Sequence, residues 1–264
     1  MYAMGLIGHA GCGKSTAIEQ FFAYRGLPVL KTVGTRTSTS DDFMGSYHPS
    51  SDGLKWVDRS LAIAMKSGFP FFIDEYNNLT PETTTALNAV FEGRSYTIEA
   101  TGEVIHPAKG FKVYAAMNED NGLGVYQGRL KQDNANLDRF LWQRVSYPSE
   151  DEEITILDRI LSPAFQDDSM RQRVSKSMVR IADKLRKQFV GDDQNGGDTL
   201  ETILSTRSLV RWATLSIMFN NSPTRFRYAF DLAFGNGPMP QTNREAIYTI
   251  CAAEMGPDLF PITA

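Results

Sequence analysis

The chain has 264 residues, 42% of them hydrophobic, enough for one large core or a core with a smaller satellite, and two domains are expected. A formal net charge of −4 gives no global attraction to nucleic acid or anionic lipid, so nucleic acid is not the expected partner. No apolar run reaches membrane-spanning length, and the N-terminus enters a strand-like "YAMGLIG" with no basic region or cleavage site, so membrane insertion and secretion are not indicated and a cytoplasmic protein is expected.

The first element is that strand, and it runs into "GHAGCGKST", residues 8 to 16. Gly8, Gly13, Lys14 and Ser15 match G-x-x-x-x-G-K-[ST], with Gly11 between them. Glycines allow successive backbone N–H groups to curl round an anion, and a helix starting at the lysine presents its positive dipole end. In such a loop Lys14 would reach the β- and γ-phosphates of a nucleotide and Ser15 would ligate Mg²⁺. "KSTAIEQFFAYRG" continues with apolar residues at helical spacing and Gly26 as its stop.

"MGSYHPSSDGLKW", residues 44–56, has a turn centre in "PSSDG" flanked by aromatics and is expected to form a hairpin. "FPFFIDEYN" is an apolar strand ending in Asp74 and Glu75, where a buried strand emerges at the carboxyl edge of a sheet. There Asp74 would hold Mg²⁺ through water and Glu75 would polarise an attacking water. "LTPETTTALNAVFEG" reads as one helix, capped by Thr80, with Pro81 in its first turn and Gly93 at its end. Residues 95–109, "SYTIEATGEVIHPAK", alternate around "TGE" as a second hairpin. "FKVYAAMNED" is a further buried strand, with Asn118 at its tip in reach of a γ-phosphate or lytic water. Alternating strands and helices give a parallel α/β sheet with right-handed crossovers.

Pro148 should break the last strand of this core, after which Ser149 caps a helix with Glu152 three residues on. Four segments then repeat apolar residues at helical spacing: "EEITILDRIL", "QRVSKSMVRIADKLRKQF", "TRSLVRWATLSIMF" and "REAIYTICAAEM". Breaks fall at Ser162-Pro163, at the polar linker "GDDQNGGD" (191–198) and at Pro223. His9, His48 and His106 have no companions at metal-ligand spacing, and Cys12 and Cys251 lack both metal spacing and a case for a disulfide.

Together these motifs resemble the AAA+ ATPases: "GHAGCGKS" as Walker A, "FFIDE" as Walker B, "AAMN" as sensor one, "LDRF" around Arg139 and "STRSL" around Arg207. More narrowly, "TRTSTSDDFMGSYHP", "GLKWVDRSLAIAMKSG" and "EGRSYTIEATGEVIHP" are similar to the MoxR branch, with its rubisco-activase-like and nitric-oxide-reductase-activating members. The resemblance covers residues 5 to about 148 and continues beyond them mainly through Arg207. It implies a P-loop AAA+ core with a parallel five-stranded sheet over 1–148, followed by a small all-α lid over 149–264.

The resemblance further implies that ATP and Mg²⁺ are held by Gly8, Gly11, Gly13, Lys14, Ser15 and Thr16, with Ser15 and Asp74 toward the metal. Glu75 is then the catalytic base, Asn118 the sensor-one residue and Arg207 sensor two. Arg139 resembles the arginine finger that enters a neighbouring subunit, with Arg144 and Arg94 as alternatives. The family assembles as rings, with a hexamer expected, and its hairpins face a central pore. It remodels protein clients, often with a partner carrying a von Willebrand factor A domain. The family usually holds adenine with a segment before the first strand. This chain begins on that strand, so base recognition is expected from the lid or another subunit, or is loose. Two other readings stay open: a nucleic-acid motor, which salt-sensitive stimulation by DNA would favour, and a P-loop kinase, disfavoured by Asn118, Arg139 and Arg207 in that order. The hairpins carry Tyr47, His48 and Trp56, and Glu99, Glu103, His106 and Lys109, fewer basic groups than a DNA-tracking pore would show.

Overall fold

The computed structural model describes residues 2–119, 134–189 and 203–261. Contacts divide the chain into two compact units, Met1–Ser146 and Tyr147–Ala264. "GDDQNGGD" lies outside the described residues.

The first unit opens with β1 (Ala3–Gly8) and α1 (Lys14–Tyr24), then β2 (Leu30–Val33) and α2 (Ser40–Met44). A hairpin follows, β3 (Gly45–Ser50) with β4 (Gly53–Asp58), then α3 (Ser60–Ser67) and β5 (Pro70–Asp74). Two short helices, α4 (Pro81–Ala86) and α5 (Asn88–Phe91), lead to a small hairpin of β6 (Tyr96–Thr97) and β7 (Val104–Ile105). The unit closes with β8 (Lys112–Asn118), α6 (Asn134–Leu137) and β9 (Phe140–Arg144). The main sheet has five strands in the order β2-β5-β8-β1-β9, every neighbouring pair parallel.

The period of two along the central strands explains why both faces are covered. Phe71, Ile73, Val113 and Ala115 join one core with Leu61, Met65, Leu87 and Phe91, whereas Phe72 and Ala116 join Ile18 and Phe22 of α1 on the other side. Each strand is therefore apolar on both faces and ends in its polar residues, Asp74 on β5 and Asn118 on β8.

Two details differ from the sequence reading. The helix expected from Thr80 to Gly93 is two, because Leu87 leaves helical geometry at φ −93° and ψ 2° and enters the core completely. Ahead of that break the threonine hydroxyls turn onto main chain: Thr83 Oγ1 donates to Ser38 O and Thr84 Oγ1 to Pro81 O. The last strand, β9, ends at Arg144 rather than at Pro148, with Val145 N still donating to Ile7 O at 2.8 Å.

The second unit is helical: α7 (Glu150–Leu161), α8 (Asp168–Phe189), α9 (Thr206–Met218), α10 (Arg225–Phe230) and α11 (Gln241–Met255). A 3-10 turn at Ser162–Ala164 and a π turn at Asp231–Gly235 interrupt it. Ser149 and Glu152 form a reciprocal capping box at the start of α7. The core is built on Trp212, buried with its indole N–H on Phe226 O, beside Phe230 and Phe260. Helix α10 and its π turn were not read from the sequence, where "RFRYAFDLAFG" gives too short an apolar pattern.

Candidate functional site: a phosphate loop at the sheet edge

The loop between β1 and α1 has its glycines where the backbone demands them. Gly11 and Gly13 sit at φ 72° and 99°, in the left-handed region that side chains avoid. At Gly8 a Cβ would lie 2.0 Å from Val145 O, so the end of β1 can pass the residue that follows β9 only without a side chain. Gly13 offers α1 no side-chain cap, which leaves the first-turn N–H groups of that helix to an anion.

Chemistry-bearing side chains from β5 and β8 converge on this loop. Lys14 Nζ donates to Gly8 O at 3.0 Å, to His9 O at 2.8 Å and to Asn118 Oδ1 at 2.8 Å. The Asn118 amide donates to both Glu75 oxygens, at 3.2 and 3.1 Å. Ser15 Oγ donates to Asp74 Oδ1 at 2.9 Å, and Glu75 N donates to the same oxygen at 3.1 Å. Parallel register sets this up: Gly8 is paired with Asn118 across β1 and β8, and β5 lies on the far side of β8. Glu75 has φ 53°, the one non-glycine residue with positive φ among those described. That turn aims its carboxylate at Asn118. The His9 imidazole has its pKa lowered, first by burial and then by the Lys14 charge, so it is neutral near pH 7.

The donor set fits a nucleotide and a hard cation. Ser15 and Asp74 present hydroxyl and carboxylate oxygen side by side, the chemistry Mg²⁺ takes with water completing its shell. Among the described residues no group of three His, Cys, Asp or Glu is arranged to hold a metal by itself.

The other sequence candidates are placed as follows. Thr16 is exposed in the first turn of α1. Arg139 immediately precedes β9, its Nε on Glu92 Oε1 at 3.0 Å and its Nη1 on Ala135 O. Arg94 also pairs with Glu92, and Arg144 pairs with Glu119 beside Asn118. Arg207 is exposed in the first turn of α9, in the second unit. In the two hairpins, Tyr47 packs edge-on against Trp56, and its hydroxyl donates to Ala100 O in the turn of the second hairpin. Gly45 is needed under that pair, since a Cβ there would meet the Trp56 ring at 2.5 Å. His48 accepts or donates with Ser46, and His106 with Ser95.

Sequence reasoning missed Lys31, whose Nζ lies 2.9 Å from Asp74 Oδ2 and 2.9 Å from Glu19 Oε1. Desolvation opposes its charge, but hydrogen bonds to Glu19 and Asp74 outweigh it and raise the pKa. The only signal was a lysine inside the short strand "LKTV".

The AAA domain (dynein-related subfamily) matches residues 4–140, just over half of the chain, and the CbbQ/NirQ/NorQ C-terminal domain matches residues 165–253. The chain belongs to the MoxR-type AAA+ ATPases. Among relatives of this family member, the aerobic cobaltochelatase subunit CobS of a Sinorhizobium species is 28% identical over 232 residues, covering 84% of this chain and 68% of the relative. Protein NorQ of Paracoccus denitrificans is 26% identical, covering 78% of this chain and 72% of its own length. The denitrification regulatory protein NirQ of Pseudomonas aeruginosa is 25% identical, covering 80% and 74%. Membership in this AAA+ family carries nucleotide binding and action with partner proteins in oligomers as family traits. Among the described residues no helix is long and apolar enough to cross a membrane.

Proposed function

We propose that this chain hydrolyses ATP with Mg²⁺ as a hexameric ring in the cytoplasm and uses the cycle to remodel or activate a protein client. An adaptor with a von Willebrand factor A domain is the partner we assign. The observation that supports this most is the continuous network Lys14–Asn118–Glu75 beside Ser15–Asp74 at one edge of the parallel sheet. Relatives named as a chelatase subunit and as a denitrification regulator support a protein client.

In this reading Gly11, Gly13 and the first turn of α1 bind phosphate oxygens through backbone N–H groups, with Gly8 and Thr16 bounding the loop. Lys14 exchanges its bonds to Gly8 O and His9 O for β- and γ-phosphate oxygens. Mg²⁺, held by Ser15 and Asp74, would supply charge stabilisation to the same phosphates. Glu75 takes the proton of the attacking water at a carboxylate oxygen, and the Asn118 amide orients that carboxylate. Arg207 serves as sensor two on a helical lid formed by the second unit. Arg139 serves in trans, leaving Glu92 for a neighbouring subunit's γ-phosphate, with Arg144 and Arg94 as the residues to test after it.

Two variants separate binding from chemistry. Lys14→Ala should lose nucleotide binding, because the phosphates lose their main cation. Glu75→Gln should bind ATP with near-unchanged affinity and turn over at least a hundredfold more slowly, as removal of a general base does. Equilibrium binding of ATP and steady-state phosphate release check both, and wild-type turnover by Glu75→Gln would place the base elsewhere.

A further inference from the structure

Asp74 has a donor on each of its oxygens. Oδ1 accepts from Ser15 Oγ and from Glu75 N, and Oδ2 faces the Lys31 ammonium at 2.9 Å. Lys31 is not a loose surface cation. It stands in the middle of β2, paired with Phe72 in register, and its ammonium lies 5.3 Å from the centre of the Phe72 ring. From there it reaches two acids on two different elements, Asp74 at the end of β5 and Glu19 on α1, the helix that the phosphate loop starts. Glu19 is roughly half exposed, while the Asp74 side chain is only 19% exposed. One ammonium therefore bridges a largely covered acid and a half-exposed one at the same distance.

We propose that Lys31 is a resident counter-ion for Asp74, which a divalent cation arriving with nucleotide must displace and which then retreats onto Glu19. This inference rests on the ATPase reading above. A cation held by Ser15 and Asp74 stands within one carboxylate's width of the ammonium, so the two positive charges repel at short range. In the absence of a divalent cation, Lys31 spares Asp74 the cost of an uncompensated, mostly buried charge. The Glu19–Lys31–Asp74 triad thereby sets how much Mg²⁺ the site demands and gives up the Lys31–Asp74 pair each time the metal enters.

The test is equilibrium binding of a fluorescent ADP analogue, titrated with Mg²⁺ and repeated in EDTA, with no turnover involved. Lys31→Met keeps the stem and removes the charge. It should lower the Mg²⁺ concentration that half-saturates nucleotide binding about tenfold, as one unit charge removed at this range would. Glu19→Gln removes the alternative seat and should raise that concentration, and this rise should vanish when Lys31→Met is also present. Lys31→Arg, which keeps the charge, should behave as the unmodified chain and guards against a fold defect. A higher Mg²⁺ demand in Lys31→Met would mean that the lysine holds Asp74 in place for the metal, and an unchanged demand would reduce it to a surface pair. Either result overturns the inference alone. No nucleotide binding by the unmodified chain would overturn the ATPase reading and this inference with it.

Discussion

Glu75, the base in the function proposed above, and Tyr248 show how differently single side chains are held. Glu75 stands at φ 53° with Asp74 Oδ1 accepting from its N–H, a costly backbone geometry kept where a carboxylate has to turn toward Asn118. Tyr248, in the second unit, is pushed up to about 12 by burial first and then by its hydrogen bond to Asp231. An unfolded tyrosine titrates near 10, so between about pH 10 and 12 the unfolded chain has released a proton that the folded chain keeps. The Tyr248 contribution to stability is therefore fully present below about pH 10 and is lost as pH rises through that window. Cys251 and Tyr76 are also raised by burial and act in the same direction. Tyr248→Phe should flatten the alkaline loss without abolishing it, measured as the urea midpoint from pH 9 to 12; an unaltered slope would show that Tyr248 does not contribute. The left-handed glycines of the loop after β1 were legible in the sequence, because a backbone that curls so tightly needs glycine at fixed spacing. Lys31 was not, since nothing in "LKTV" states that a strand pairing will set it beside Asp74. Glu92 as the seat of Arg139 was hidden for the same reason.

The helices and strands show the same division between local and long-range signals. The box on α7 was readable because Ser149 and Glu152 are three residues apart, and both bonds form. The break at Leu87 was not readable, because it comes from the core's claim on that side chain. In the second unit, Glu153 of α7 is buried and takes both terminal nitrogens of Arg186 on α8, at 2.8 and 2.9 Å, plus the hydroxyl of Thr206 at the start of α9. Arg186 also stacks on Tyr147, at 4.0 Å from the ring centre, and donates to Leu204 O. Three helices thus share one carboxylate. Arg186→Ala would leave that charge buried and unpaired, and should cost about 3–5 kcal/mol, whereas Ser149→Ala should cost about 1 kcal/mol. Urea unfolding of the full chain compares the two, and an Arg186→Ala loss no larger than that of Ser149→Ala would show that water reaches Glu153.

For the whole molecule, the five-stranded order and the two hairpins place the phosphate loop, both acids and Asn118 in one unit, while Arg207 belongs to the other. A parallel α/β sheet follows from the alternation of apolar strands and helices, but strand order does not, because β1 inserts between two strands that come later in the chain. In the function proposed above, Arg139 beside β9 is the residue assigned to carry positive charge onto a neighbouring subunit's γ-phosphate. An arginine supplied in trans is worth on the order of a thousandfold or more in rate. The most direct measurement mixes two inactive variants, Arg139→Ala and Lys14→Ala, and follows phosphate release in mixtures whose co-assembly is verified by light scattering. The account predicts that activity returns, because a Lys14→Ala subunit lends its intact Arg139 to an Arg139→Ala neighbour whose phosphate loop still works; mixtures that co-assemble and remain inactive would contradict it.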